Sequence, residues 1–239
     1  MAAPISGFPA WSAQTVRKAP DLDAMYGSVQ PPRAKSGRAS GIQAAERSKD
    51  DGMVKIHPAR IILNPNLTPG LPRLLDAVRR ELQDGAVFKW TVARNGAVML
   101  APYKLSEHTK TLLLEQSKTA CDTELSAGEN ALFDKVKLAF ENSELPLGRK
   151  LPLGHPTLVG GLREPEARLG GELHYGKLHK DDAEPTFYIN NDSGRYSEYA
   201  DCNEEMLKNV AKHFGEIGFP VKEKWMEKAK KELINKPKV

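Results

Sequence analysis

The chain has 239 residues, of which 40% are hydrophobic, with a mean hydropathy of −0.50 and a formal net charge of +4. One good-sized domain with a tail fits that length, the low apolar share implies that part of the chain stays outside the core, and 35 basic against 31 acidic residues is too small an excess to indicate nucleic acid as partner. No apolar run reaches the roughly 18–20 residues that cross a bilayer, and two distant cysteines, Cys121 and Cys202, point to a reduced environment rather than a disulfide scaffold or metal centre.

Residues 1–52 are rich in Pro, Ser, Gly, Ala and Arg and show no sustained periodicity. Such a composition cannot bury enough apolar area to offset the entropy of ordering, so the segment is expected to be a disordered leader, a secretion signal or a linker. Phe8, Trp11 and Tyr26 are its exceptions and could dock as short motifs. The N-terminus lacks the charged start and apolar core of a secretory signal peptide, so any export takes a route that does not read one.

A single folded domain is expected over 53–239. Residues 53–63 have the alternation and β-branched content of a strand, interrupted by Pro58. A turn at 66–70, with Thr68 as expected N-cap, leads into a helix whose Leu71, Leu74, Leu75, Val78 and Leu82 share one face and which ends near Gly85. Two strand-like runs flank Asn95-Gly96, a strong hairpin signal. Helices are expected at 105–118 and at 126–141, the latter with Leu132, Phe133, Val136 and Phe140 on one side. Strands follow at 170–178 and 185–190 around a polar turn at 179–183. A helix at 203–215 turns Met206, Leu207, Val210 and Phe214 inward and stops at Gly215 or Gly218. The four-residue spacing of Val221, Trp225, Ala229 and Leu233 predicts a last helix. From Lys222 to Val239 seven lysines meet three glutamates, which reads as a solvated face or as a grip on an acidic partner. Strands and helices mix without regular βαβ alternation, so the fold class is α+β, with small antiparallel sheets and surrounding helices.

The candidate chemistry is concentrated in residues 153–199. His155-Pro156-Thr157 can hold a ribose or amide, or simply pack and cap a turn. Glu172, after Gly170-Gly171, can orient a hydroxyl, act as a base or stabilise a developing cation; a surface strand glutamate is the plain alternative. Asn190 to Tyr196 holds turn formers, yet a bare turn seldom needs so many hydrogen-bonding groups followed at once by Arg195 and Tyr196. Cys202 lies just beyond, either a thiol nucleophile or a half-buried cysteine. A pairing of Cys121 or Cys202 with His155 or His213 has no local motif behind it. P-loop, GxGxxG, HExxH, GxSxG and RNA-recognition signatures are absent.

Taken in order, HPTL, the Gly-Glu strand and INNDSGRY resemble a module of bacterial toxin domains and secreted effectors whose commoner form reads H-x-[ST]-L, A-G-E and N-N-x-S-G-H-Y. This chain departs from it at Arg195, where His is more usual, and at Gly171, where Ala-Gly is expected. The resemblance covers roughly residues 80–185, with the 203–215 helix following in the same order. It is similar above all to CteC-like effectors, bacterial ADP-ribosyltransferases that modify a threonine of host ubiquitin. The resemblance implies an ADP-ribosyltransferase-like fold, NAD as substrate, a host protein such as ubiquitin as partner, and action in the host cytoplasm after secretion. It implies that His155 and Thr157 hold the ribose and nicotinamide amide, that Tyr196 stacks on nicotinamide, and that Arg195 takes the phosphates with Asn191 and Ser193 beside it. Glu172 then orients a ribose hydroxyl or stabilises the cationic sugar, and Asp192 or Glu198 serves as base for a threonine acceptor. No Glu-x-Glu or Gln-x-Glu motif is evident, which disfavours arginine as acceptor. Two other classes stay open: a non-catalytic interaction module, and a toxin acting on RNA or a nucleotide with His155, Glu172 and Arg195 as acid, base and clamp. All the catalytic readings require His155, Glu172 and Arg195-Tyr196 to converge on one cleft.

Overall fold

A computed structural model describes residues 19–34, 46–47, 53–57, 59–103, 154–161 and 164–227. In chain order the elements are α1 (Ala19–Tyr26), β1 (Ile61–Ile62), α2 (Leu71–Gln83), β2 (Phe88–Ala93), β3 (Val98–Pro102), a 3-10 turn (His155–Val159), β4 (Ala167–Gly176), β5 (Thr186–Asn190), α3 (Glu204–Glu216) and β6 (Lys222–Lys224). The strands form one six-stranded sheet in the order β1-β3-β2-β4-β5-β6. Every neighbouring pair is antiparallel except β5 and β6, which run parallel across α3. The α+β class holds, but a single sheet replaces the expected small ones. Its seam is β4, ten residues long, which pairs with β2 along one edge and with β5 along the other and so joins two hairpins.

The hairpin at Asn95-Gly96 forms as expected. Gly96 N–H donates to Ala93 O and Ala93 N–H to Ala97 O, with Gly96 at φ 84, a conformation that favours glycine. The apolar faces of α2 and α3 lie against one side of the sheet, where Leu74, Val78, Leu207 and Phe214 join Phe88, Trp90, Leu173 and Ile189 in one core. Period two then turns Lys89, Thr91, Glu172, His174, Tyr188 and Asn190 to the opposite side.

Several local expectations are corrected. Thr68 is not the N-cap of α2: its hydroxyl donates to Ile62 O at 2.7 Å, and Gly70, at φ 69, takes the cap position without a side-chain bond. Only Ile61–Ile62 of the 53–63 run pairs as a strand. Upstream, Ala59 N–H donates to Nδ1 of the buried His57, whose Nε2–H reaches Pro102 O, and these bonds turn the chain. Of the two expected stops of α3, the helix runs past Gly215 and Gly218 at φ 81 ends it. The helix expected after Pro220 is strand at its start, because the bare edge of β5 takes Lys222–Lys224 as a parallel neighbour; Val221 and Trp225 still pack on the core margin. Ala229 and Leu233, the helices at 105–118 and 126–141, and Cys121 lie outside the described residues.

The largest correction concerns the leader. Residues 19–34 and 46–47 are part of the fold, not a disordered tail. Tyr26 is in the main core. Arg168 donates to the Asp23 carboxylate and to Gly27 O. Gln30 pairs with Ala167, its N–H 2.8 Å from the carbonyl, on the half of β4 that the shorter β5 does not reach. Composition alone hid this because the stabilising partners come from distant parts of the chain.

Candidate functional site

The helix-free side of the sheet carries a connected group of polar side chains. Glu172 stands in register between Lys89 of β2 and Asn190 of β5. Its Oε2 is 3.1 Å from His174 Nε2, and the His174 ring stacks on Tyr188 at 5.2 Å between centroids and 15° between planes. Lys224 Nζ lies 5.3 Å from the centre of the Tyr188 ring. Asn190 Oδ1 accepts from the backbone N–H of both Glu172 and Asp192, and its amide nitrogen is 3.3 Å from the same His174 Nε2. That imidazole nitrogen can donate to the carboxylate or accept from the amide, not both. The carboxylate oxygen is the acceptor at the shorter distance, so Nε2–H donates to Glu172.

Backbone packing fixes this arrangement from behind. A methyl group at Gly171 would collide with the Asn190 carbonyl and the Trp90 ring, so β4 and β5 can meet here only with glycine at that position. Trp90 Nε1–H donates to Glu172 O at 3.2 Å from the core side. His155 Nε2–H donates to Gly171 O at 2.9 Å, with its ring against Gly170. The Gly-Gly pair is therefore a close-approach device.

Lys89 is 5% exposed, with its ammonium 4.1 Å from the centre of the Tyr103 ring. Burial pushes its pKa down to about 8 from an ordinary 10.5, against the attraction of Glu172 and then Glu46. Below pH 8 Lys89 is charged in both the folded and the unfolded chain, and the burial penalty is fully present. Between 8 and 10.5 the folded form has released the proton that the unfolded chain keeps, so stability rises with pH. From pH 7 to 9.5 the chain is expected to gain about 2 kcal/mol relative to Lys89→Met, as urea denaturation of both at each pH would read. Equal slopes for the two proteins would refute the assignment.

Glu46, 2% exposed, places Oε2 at 2.9 Å from Arg195 Nη1. Burial pushes its carboxyl pKa up, and Arg195 pulls it back. Arg195 Nε is buried and has no hydrogen-bond partner among the described residues.

Of the residues singled out by sequence, Glu172, His155 and Arg195 border this one side of the sheet. The others are placed as follows. Thr157 is fully buried and its hydroxyl donates to Gly154 O at 2.8 Å, capping the 3-10 turn. Asn191 is buried and bonds the backbone of Met226 in both directions, at 2.8 and 3.2 Å. Ser193 is fully buried, its oxygen accepting from Tyr196 N–H. Tyr196 has no exposed ring face: it packs with Ala93, Val159 and Ala167, and its hydroxyl donates to Pro165 O. Burial pushes that phenol well above its usual range. Asp192 is exposed, one residue beyond Asn191. Glu198 is exposed and pairs with Arg33 at 3.5 Å. Cys202 is partly buried, with its thiol 3.5 Å from Tyr196 O.

The polar wealth of the 190–201 segment thus has a structural purpose. Asn191 holds the chain after β6. Arg195 O, Tyr199 and Asp201 hold Arg33 N–H, Pro31 O and Ser28 of the N-terminal segment. Sequence reasoning passed over Lys89, His174, Tyr188 and Glu46. The first three had a legible signal, since period two in FKWTVA, GELHY and TFYIN puts them on the face of Glu172; Glu46 had none. Among the described residues no group of three or more His, Cys, Asp or Glu could hold a metal, and no helix is long and apolar enough to cross a membrane. Comparison of the chain with models of known protein families, with curated proteins and with solved structures finds no match.

Proposed function

We propose that the chain is a mono-ADP-ribosyltransferase that uses NAD and modifies a protein side chain, with the polar side of the sheet as its site and Glu172 as its catalytic carboxylate. The observation that carries the reading is the half-buried Glu172 carboxylate, held 3.1 Å from His174 beside the stacked His174–Tyr188 pair. Breaking the ribose–nicotinamide bond sends its electron pair to the departing nicotinamide and leaves positive charge on the sugar. The acceptor hydroxyl adds to that carbon and loses its proton. A fixed carboxylate in a partly dry site favours the charge as it develops.

In this reading NAD is held with revised roles. Tyr188 replaces Tyr196 as the stacking ring, and Arg195, whose Nε has no hydrogen-bond partner among the described residues, takes a phosphate. His155 acts as a positioning residue that holds the backbone beside Glu172. Asp192, the more accessible of the two proposed bases because Glu198 is tied to Arg33, receives the acceptor proton. An ADP-ribosyltransferase-like fold, export without a signal peptide, action in a host cytoplasm and a threonine of ubiquitin as acceptor belong to the same proposal, carried by the motif resemblance. Incubation of the full chain with labelled NAD and either a host lysate or purified ubiquitin should mark a discrete band. Absence of label from both substrates rejects the proposal; label on a lysate protein but not on ubiquitin rejects the target alone.

A further inference from the structure

We infer that His57 is an acid-released clasp: its neutral imidazole ties residues 54–57 and the 3-10 turn to the end of β3, and a proton taken up in mild acid frees that corner of the fold. The ring is fully buried. Its Nδ1 accepts from Ala59 N–H at 3.2 Å and so carries no proton, while Nε2–H donates to Pro102 O at 3.1 Å. Only the neutral imidazole fits this pair of bonds, because a proton on Nδ1 would point at the Ala59 N–H and remove its acceptor. Among the described residues the charges that act on the ring are both positive, Lys89 of β2 and then Arg60. The end of β3 offers the Pro102 carbonyl, already in use, and the carbonyl of Thr157 in the 3-10 turn is taken by His57 N–H. A proton on His57 is therefore a charge in a dry place with no carboxylate to offset it. Burial above all, then Lys89, holds the ring's pKa down to about 3 from an ordinary 6.5.

The part held by the clasp is local. His57 N–H donates to Thr157 O at 2.9 Å, Gly161 N–H to Val54 O at 2.7 Å, and Arg60 Nη1 to Leu158 O at 3.1 Å. The two pieces touch so closely that a methyl group at Gly160 would collide with Lys55 O. These bonds join the segment to the turn, and the His57 ring joins it to β3. At the start of the turn His155 donates to Gly171 O, so release reaches the backbone beside Glu172. Above pH 6.5 the ring is neutral whether the corner is closed or open. Below that pH the open form binds a proton that the closed form refuses, so opening becomes easier as the pH falls toward about 3. The clasp does not depend on the enzyme activity proposed above.

His57→Asn tests the clasp, since the asparagine carbonyl can replace Nδ1 in the bond from the residue-59 N–H and has no proton to gain. Between pH 7 and 4.5 the unfolding constant of the full chain in urea is expected to rise about 10²-fold more for the wild type than for His57→Asn. Titrations elsewhere act on both proteins and drop out of the comparison. Hydrogen exchange of the wild-type chain gives a readout that stands even if the variant does not fold. Protection of the His57, Ala59 and Gly161 amides should fall about 10²-fold over the same range and lie below that of the β2 amides at pH 4.5. Equal pH responses of wild type and His57→Asn overturn the inference. So does protection that does not fall, or that matches β2 at pH 4.5 and so reports only unfolding of the whole chain.

Discussion

Glu172→Gln is expected to lower the rate of the proposed ADP-ribose transfer about 10²–10³-fold with little change in the KM for NAD. The substitution keeps the shape of the side chain and removes its charge. The backbone bonds of residue 172, to Asn190 Oδ1 and from Trp90 Nε1, do not depend on that charge, so the fold should be retained. A carboxylate that acts on charge developing in the sugar contributes to the transition state more than to the ground state, which places the loss in kcat. Because Glu172 is the larger of the two attractions holding the Lys89 pKa up, its neutralisation should also lower the pH at which Lys89 loses its proton. A variant that turns over at the wild-type rate would remove Glu172 from the mechanism. A slow variant with an unfolding midpoint far below that of the wild type would instead make its role structural.

Trp90→Ala is expected to cost about 3–5 kcal/mol in urea denaturation, the usual range for emptying a large aromatic site. Trp90 is fully buried at the centre of the sheet, against Gly171 on β4, with its N–H on Glu172 O. Its loss leaves a cavity behind the strand that presents the proposed catalytic residue. Trp90→Phe, which keeps most of the ring and removes only the donor, should cost about 1 kcal/mol. A loss below that figure for the alanine variant would show that the sheet closes over the gap and that the ring is not what positions β4.

The elements legible in the sequence are those whose signal is local. Helices α2 and α3 follow from 3.6-residue spacing, and the β2–β3 hairpin from Asn95-Gly96. Strand β6 was not legible, because three residues carry no period and the strand exists only where β5 offers an edge. The ordered part of the leader was missed for the same reason, since Gln30 has nothing strand-like about it until Ala167 is beside it. In the site, Glu172 stood out through its glycines, and those glycines proved to be about close packing with Trp90 and Asn190. The Asn190–Tyr196 run is the hardest to read from sequence, because a segment that anchors two distant pieces of chain needs the same hydrogen-bonding groups as one that grips a ligand. Tyr188 and Lys89 are single residues in apolar strands, and only strand register sets them next to Glu172.

The contact of Gln30 with Ala167 bears on how the protein should be handled. A fragment begun at residue 53, where composition places the domain boundary, would uncover the edge of β4 at Ala167 and open the Tyr26 position in the core. Bare strand backbone beside exposed apolar surface recruits whatever strand is nearest, usually from another copy of the chain. Such a fragment would tend to self-associate, and its insolubility would be mistaken for a failure of the fold rather than the loss of its own N-terminal cover.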